Sequence, residues 1–156
     1  MRSDVGTEAE MQALGRRLGE RLEAGDLVVL VGPLGAGKTV LARGIATGLG
    51  VRSPVTSPTF VIARVHRDGR VPFVHVDAYR LGDRVEVDDL DLDAEAADSV
   101  TVVEWGGGLV EQLAESRLEV RIDRSDDNED MRRVEITGHG ARWAATDLES
   151  ALAGQR

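Results

Sequence analysis

The chain has 156 residues, no cysteine and a formal net charge of -9. This length suits one compact domain, and the lack of cysteine excludes a disulfide framework, a thiolate metal site and a cysteine nucleophile. The acidic balance disfavours a free-standing nucleic-acid binder, because phosphate contacts need Lys and Arg. No apolar run approaches the roughly 20 residues that span a bilayer, and the first residues lack the apolar stretch of a signal peptide. We therefore expect a cytoplasmic protein without a membrane partner.

The first predicted element is a helix that begins at Thr7. Thr7 and Glu10 fit the Thr-x-x-Glu pattern of a capping box, and Gly25 is a plausible stop. The apolar residues that recur at helical spacing are Met11, Leu14, Leu18 and Leu22.

The next element is a continuous apolar run from Leu27 to Val31, rich in β-branched residues. Such a run is typical of a strand buried on both faces of a parallel sheet. It leads directly into a glycine-rich segment, after which a helix is predicted from Thr39 to about Gly48. The apolar side of this helix consists of Val40, Leu41, Ile45 and Leu49.

Later segments alternate between strand and helix patterns. The predicted strands cover 60–66 and 71–76, which flank an Asp-Gly hairpin signal, then 100–103, 118–122 and 133–136. Helical segments are expected within 85–97 and 109–114, and a capped terminal helix is expected over 146–153. This order predicts a single α/β domain over residues 1–156 with a mixed sheet.

The segment Gly32 to Thr39 matches the phosphate-binding pattern G-x-x-x-x-G-K-[ST] in full. Its glycines, at positions 32, 35 and 37, allow backbone angles that let amide groups point inward as an anion nest. Lys38 is the only lysine in the chain, and an ammonium can move between β- and γ-phosphate oxygens. The Thr39 hydroxyl is placed to bind Mg²⁺. We therefore predict an ATP–Mg²⁺ site in a three-layer, P-loop NTPase-like fold whose central sheet is mixed and mainly parallel.

Two acidic residues, Asp77 and Glu104, end apolar strand patterns. The carboxyl ends of parallel strands face the ligand crevice, so either carboxylate could hold Mg²⁺ or polarise the attacking water. Each could equally be a residue that merely caps a strand or a following helix.

Other polar residues carry weaker signals. A hydroxyl from Ser57-Pro58-Thr59 could sense the γ-phosphate, although the pattern alone favours an ordinary Ser-Pro turn. Trp105 could cover the nucleotide or pack on the sheet. His75 is predicted to lie in the core or on the sheet surface, and the three histidines have no metal-ligand spacing.

Four motifs, in this order and spacing, resemble those of the bacterial TsaE family. They are Leu34-Gly35-Ala36-Gly37-Lys38-Thr39, Ser57-Pro58-Thr59-Phe60, His75-Val76-Asp77-Ala78-Tyr79-Arg80 and Val103-Glu104-Trp105. The resemblance covers roughly Thr7 to Trp105. It implies a cytoplasmic, weakly hydrolysing ATPase of tRNA threonylcarbamoyladenosine synthesis, which works with TsaD and TsaB and meets tRNA only through that complex. The resemblance further implies that TsaD and TsaB perform the threonylcarbamoyl transfer and that the ATPase resets the complex between turnovers.

The resemblance also implies roles for individual residues. Lys38 and Asp77 would act in hydrolysis, and Thr39 and Glu104 would bind Mg²⁺. Tyr79 and Arg80 would lie near the nucleotide or a partner. The nucleotide itself would contact Glu8, Leu34, Gly35, Ala36, Gly37, Lys38, Thr39, Ser57, Thr59 and Trp105. The sequence Gly106-Gly107-Gly108, directly after Trp105, departs from the family pattern.

Three alternatives remain at this point. A small nucleotide or metabolite kinase uses the same loop, and Arg80 and Arg84 could serve it, but no lid-like insertion is visible. A nucleotide-dependent binding module would hydrolyse almost nothing. A GTPase is disfavoured because its guanine motif needs an Asn-Lys pair, and Lys38 is the only lysine.

Overall fold

The computed structural model describes residues 1–33, 37–55, 63–77, 98–104, 116–124, 131–144 and 146–152. Within these ranges the side chains of Ala63, Asp77 and Ala151 are not described. No helix in the described part of the chain is long and apolar enough to cross a membrane.

Seven strands and four helices occur in the described ranges. The strands are β1 Arg2–Val5, β2 Leu27–Val31, β3 Ala63–His66, β4 Phe73–Asp77, β5 Val100–Glu104, β6 Arg117–Arg124 and β7 Arg132–His139. The helices are α1 Glu8–Arg21, α2 Lys38–Gly48, α3 Ala141–Ala144 and α4 Leu148–Leu152.

All seven strands form one sheet in the order β1-β7-β6-β2-β5-β4-β3. The four central strands, β6, β2, β5 and β4, run parallel to one another, and the remaining pairings at both sides are antiparallel. The prediction of an α/β fold with a mixed, mainly parallel central sheet is therefore confirmed.

Both faces of the central strands are buried, as their continuous apolar sequences predict. On the first face, Val28, Leu30 and Val102 join the cluster formed with α1 and α2. The second face buries Val29 and Val103, which alternate with them. A sheet covered on both faces leaves its carboxyl edge as the place for a site.

The two long helices, α1 and α2, pack against each other backbone to backbone. A Cβ added to Gly15 of α1 would lie 2.5 Å from the carbonyl oxygen of Leu41 in α2, far inside normal contact. Added Cβ atoms would lie even closer to backbone oxygens of the opposite helix at Gly19, Gly44 and Gly48. Four glycines, two on each helix, therefore set the distance between α1 and α2.

The capping box at the start of α1 is confirmed with one change. The amide of Glu10 donates to the Thr7 hydroxyl at 3.1 Å, as predicted. The Glu10 carboxylate accepts from the amide of Gly6, one residue before the cap, at 2.9 Å. Both hydrogen bonds satisfy backbone amides at the N-terminus of the helix.

Strands and helices predicted within the described ranges are found, with altered bounds at several ends. Strands β6 and β7 extend beyond the predicted 118–122 and 133–136, because their alternation continues into exposed charged residues. The terminal helix begins at Leu148, two residues later than predicted, and Asp147 accepts from the amide of Ser150 at 3.3 Å. The helices expected within 85–97 and 109–114 lie outside the described residues. Two elements were not predicted, β1 and α3.

The predicted hairpin is confirmed as the antiparallel pair β3 and β4, but its loop is longer than a two-residue Asp-Gly turn. The reason is a tertiary role for Asp68, whose carboxylate accepts from the amides of Arg52 and Ser53 at 2.9 and 2.8 Å. These hydrogen bonds, Arg52 first, lower the pKa of Asp68 to about 2. The loop thereby fastens the segment that follows α2.

We predict that Gly15→Ala destabilises the protein although alanine favours helix formation. The clash with Leu41 should cost roughly 1–3 kcal/mol of overpacking, which exceeds the gain in helix propensity of about 1 kcal/mol at most. Denaturant unfolding measures the difference. The control is Gly6→Ala, because a Cβ there would lie 3.6 Å from Met131 in ordinary contact. Equal stability of both variants would contradict the close packing.

Candidate functional site

Three strand ends meet at the carboxyl edge of the sheet beside the glycine-rich segment. Strand β2 ends at Val31, and its Leu30 pairs with Glu104, the last residue of β5. Glu104 also pairs with Asp77, the last residue of β4. The two predicted acidic residues therefore lie side by side on neighbouring strands, next to the strand that enters the loop.

Helix α2 begins directly after the loop, as predicted, with Gly37 as its N-cap. Gly37 has φ 107°, which side chains rarely adopt, so glycine is needed here. Gly32 lacks a positive φ, so the prediction of special backbone angles fails at that position. No side chain of the described residues caps the start of α2, and the first turn of a helix, with the positive end of its dipole, favours an anion.

The ammonium of Lys38 is turned back onto the loop. Lys38 is only 5% exposed, and its Nζ donates to the carbonyl oxygens of Gly32 and Pro33 at 2.5 and 3.2 Å. A buried charge needs such partners, because its desolvation is otherwise expensive. The one lysine of the chain therefore lies inside the loop at the entrance of α2.

The side chain of Glu104 links three elements. Its Oε1 accepts from the Thr39 hydroxyl at 3.0 Å, and its Oε2 lies 2.5 Å from Nε2 of His75. Glu104 is 6% exposed and His75 is fully buried. The buried carboxylate of Glu104 therefore links α2, β5 and β4, and its contact on α2 is the residue that follows Lys38.

A second histidine lies along the same hairpin. The centroid of the Phe73 ring lies 5.8 Å from that of His66 and 5.9 Å from that of His75. Burial lowers the pKa of His66, and the neighbouring His75 and Arg64 lower it further against the opposing effect of Asp68. His66 is therefore disposed to stay neutral near pH 7.

The structure brings Thr39, the residue after Lys38, into contact with Glu104, and Gly37 lies at the turn between the loop and α2. The backbone of Asp77 lies beside that of Glu104, and the Asp77 side chain is not among the described ones.

Glu8 is exposed at the first turn of α1, three residues before Met11. The Met11 side chain would lie 3.3 Å from a Cβ on Gly37, so this end of α1 reaches the loop. The predicted residues that lie outside the described ranges are Leu34, Gly35, Ala36, Ser57, Thr59, Tyr79, Arg80, Arg84 and Trp105, together with 106–108.

Sequence reasoning missed the contact between His75 and the site. His75 was predicted to lie in the core or on the sheet surface, and it does lie in the core, but beside Glu104. The sequence feature that could have revealed this contact is that His75 stands two residues before Asp77. Alternate residues of a strand share a face of the sheet. A histidine in an otherwise apolar strand, on the face of a predicted site residue, pointed to a polar partner.

The comparisons with known proteins decide the family. The family model described as "Threonylcarbamoyl adenosine biosynthesis protein TsaE" matches residues 5–134. The chain belongs to the TsaE family. Its role therefore lies in threonylcarbamoyladenosine biosynthesis, and the resemblance seen in the four motifs is confirmed.

Individual relatives agree with this placement. The chain is 61% identical to a Streptomyces coelicolor protein named "tRNA threonylcarbamoyladenosine biosynthesis protein TsaE", over 92% of this chain and all of that one. A Bacillus subtilis protein of the same name is 39% identical over 86% of this chain and 83% of its own. The crystal structure of Bacillus subtilis YdiB matches with a TM-score of 0.76 at 33% identity, covering 92% of this chain and 88% of that one.

Proposed function

We propose that the chain binds ATP with Mg²⁺ and hydrolyses it slowly, and that this cycle acts on a complex of TsaD and TsaB homologues. The observation that carries the proposal is the grouping of Lys38, Thr39 and Glu104 where a phosphate-loop sequence joins β2 to α2. Membership in the TsaE family favours this function over the kinase alternative.

Phosphate binding is supported by the start of α2 and by Lys38. The backbone amides of the first turn of α2 and the positive end of the helix dipole attract an anion. A phosphate oxygen is also a better partner for the buried ammonium than the carbonyls of Gly32 and Pro33, because the bond becomes charge-assisted on both sides. The nucleotide would also contact the predicted Glu8, Leu34, Gly35, Ala36, Gly37, Thr39, Ser57, Thr59 and Trp105.

The residues at the loop fit Mg²⁺ in their chemistry. Thr39 and Glu104 offer oxygen atoms 3.0 Å apart, and Mg²⁺ prefers oxygen ligands. No group of three or more His, Asp or Glu residues in the described part of the chain could hold a metal alone. Mg²⁺ is usually held by one or two protein groups together with substrate phosphates, so two protein oxygen atoms would be enough. When bound, Mg²⁺ would neutralise charge on the phosphates.

The proposed hydrolysis assigns a task to each of two residues. Lys38 would stabilise charge on the transferred phosphate, and Asp77 would orient the attacking water from the end of β4. Asp77 stands next to Glu104 in the sheet register, so the two carboxylates would divide these tasks, one toward water and one toward the metal.

The partners in this proposal are proteins. A chain with a net charge of -9 is poorly suited to hold tRNA by itself, so tRNA would be met through the TsaD–TsaB complex. The nucleotide state of the loop would then report to those partners and reset their complex after each modification.

The first prediction of this proposal concerns Lys38→Ala. Loss of the ammonium should weaken ATP binding at least about tenfold, since hydrogen bonds to charged groups are each worth about 1.5–3 kcal/mol. Isothermal titration calorimetry measures the affinity. Arg43→Ala is the control, because Arg43 is an exposed basic residue of the same helix that donates to Val55. Full affinity in Lys38→Ala would refute the loop assignment.

The second prediction concerns Thr39→Val and Glu104→Gln. Both should reduce the gain in ATP affinity that Mg²⁺ provides, while binding without Mg²⁺ changes less, because these side chains address the metal. Calorimetry with and without Mg²⁺ separates the two quantities. Thr47→Val is the matched control, because the Thr47 hydroxyl donates to the Arg43 carbonyl of its own helix. An unchanged Mg²⁺ gain in both site variants would remove them as ligands.

The third prediction concerns the partners. The isolated chain should hydrolyse ATP weakly, and the rate should change when the TsaD and TsaB homologues of the same organism are added. Phosphate release measures the rate, and Lys38→Ala should show no such change. If the rate of ATP hydrolysis and the affinity for ATP stay unchanged when both partners are added, this part of the proposal is wrong.

A further inference from the structure

We propose that His75 is a positioning residue that holds Glu104 in orientation for Mg²⁺, an inference that rests on the proposed ATP–Mg²⁺ function. Of the two hydrogen bonds described for the Glu104 carboxylate, one is with Thr39 and the other is with His75. Thr39 and Glu104 are the two proposed metal ligands. His75 is therefore the partner that stands outside the metal site and fixes one of its ligands.

The hydrogen bond has a defined direction. An ionised carboxylate only accepts hydrogen bonds, so the geometry assigns the imidazole proton to Nε2 of His75. The other ring nitrogen, Nδ1, is buried and has no hydrogen-bond partner among the described residues. A proton on Nδ1 would be a buried donor without a partner, and Glu104 would lose its donor. Both effects keep the donor directed at Oε2 of Glu104.

The ring itself is held in place by its surroundings. His75 is fully buried, lies 5.9 Å from the Phe73 ring and pairs with Val102 across β4 and β5. A fixed donor on Oε2 limits rotation of the carboxylate and keeps Oε1 directed at Thr39. Carboxylates that bind metals commonly depend on such hydrogen bonds, and losing one typically costs about 10–100-fold in metal affinity or activity.

A merely structural role for His75 makes a different prediction. If the ring only fills space, any substitution that keeps the fold should leave the Mg²⁺ requirement unchanged. If the donor at Nε2 matters, glutamine should replace histidine, since its amide nitrogen reaches about as far as Nε2. Asparagine should fail, because its amide nitrogen stands at the position of Nδ1 and does not reach Glu104.

The experiment compares His75→Leu, His75→Asn and His75→Gln with wild type in the full-length chain. Calorimetric ATP titrations at a series of Mg²⁺ concentrations give the Mg²⁺ requirement and the Mg²⁺-free affinity, and denaturant unfolding is measured in parallel. The control is His139→Leu. His139 also faces a carboxylate, that of Glu119 at 3.3 Å, but it pairs with Arg117 at the opposite end of the parallel strands.

We expect His75→Leu and His75→Asn to raise the Mg²⁺ concentration needed for tight ATP binding by about 10–100-fold, with the Mg²⁺-free affinity kept. His75→Gln and His139→Leu should stay close to wild type. A wild-type Mg²⁺ requirement in His75→Asn, or a loss in His75→Gln as large as in His75→Asn, would overturn the role of His75. If His75→Leu does not fold, the Asn and Gln variants decide the question. A wild-type chain that binds no ATP, or binds it without regard to Mg²⁺, would instead refute the proposed function.

Discussion

The architecture of the site depends on one buried carboxylate, that of Glu104. An ionised carboxylate away from water is costly unless it is hydrogen-bonded, and the cost of an unpartnered one reaches several kcal/mol. Glu104 meets this demand with the Thr39 hydroxyl on one oxygen and the His75 ring on the other. The first turn of α2 and the end of β4 are therefore fixed relative to β5. Any displacement of α2 along the sheet would leave a buried charge without one of its partners.

Close packing between α1 and α2 is the second constraint on the position of α2. Four glycines allow the two helix backbones to touch, which sets the position of α2 against the core. The close approach also brings Met11 of α1 beside Gly37, the residue at which the loop turns into α2. Packing at this point and hydrogen bonding at Glu104 therefore hold the start of α2 from two sides. A helix end held in this way would be preorganised for the phosphate ligand that we propose.

The sequence predicted those parts of the fold that local patterns specify. The continuous apolar strands and the helical repeat of α1 were recognisable, because burial on one or two faces imposes a period on the sequence. The loop was recognisable because the pattern requires its glycines and Lys38 at fixed spacing.

Strand β1 was missed because Arg2–Val5 is short and mostly polar, and its place is decided by pairing with β7. The contact of His75 with Glu104 was missed because the two residues are 29 positions apart in the chain. Asp68 was read as part of a tight turn, although its carboxylate holds a segment 15 and 16 residues away. Contacts of this range follow from tertiary structure, which local propensity does not encode.

The most direct measurement is a crystal structure of this chain with Mg²⁺ and a non-hydrolysable ATP analogue. The account predicts that the Lys38 ammonium leaves the carbonyls of Gly32 and Pro33 and contacts phosphate oxygens at the start of α2. It also predicts Mg²⁺ beside Thr39 and Glu104, directly or through one water, with the His75 ring still on Glu104. A nucleotide bound elsewhere on the molecule, or a metal ion held without Thr39 and Glu104, would contradict it.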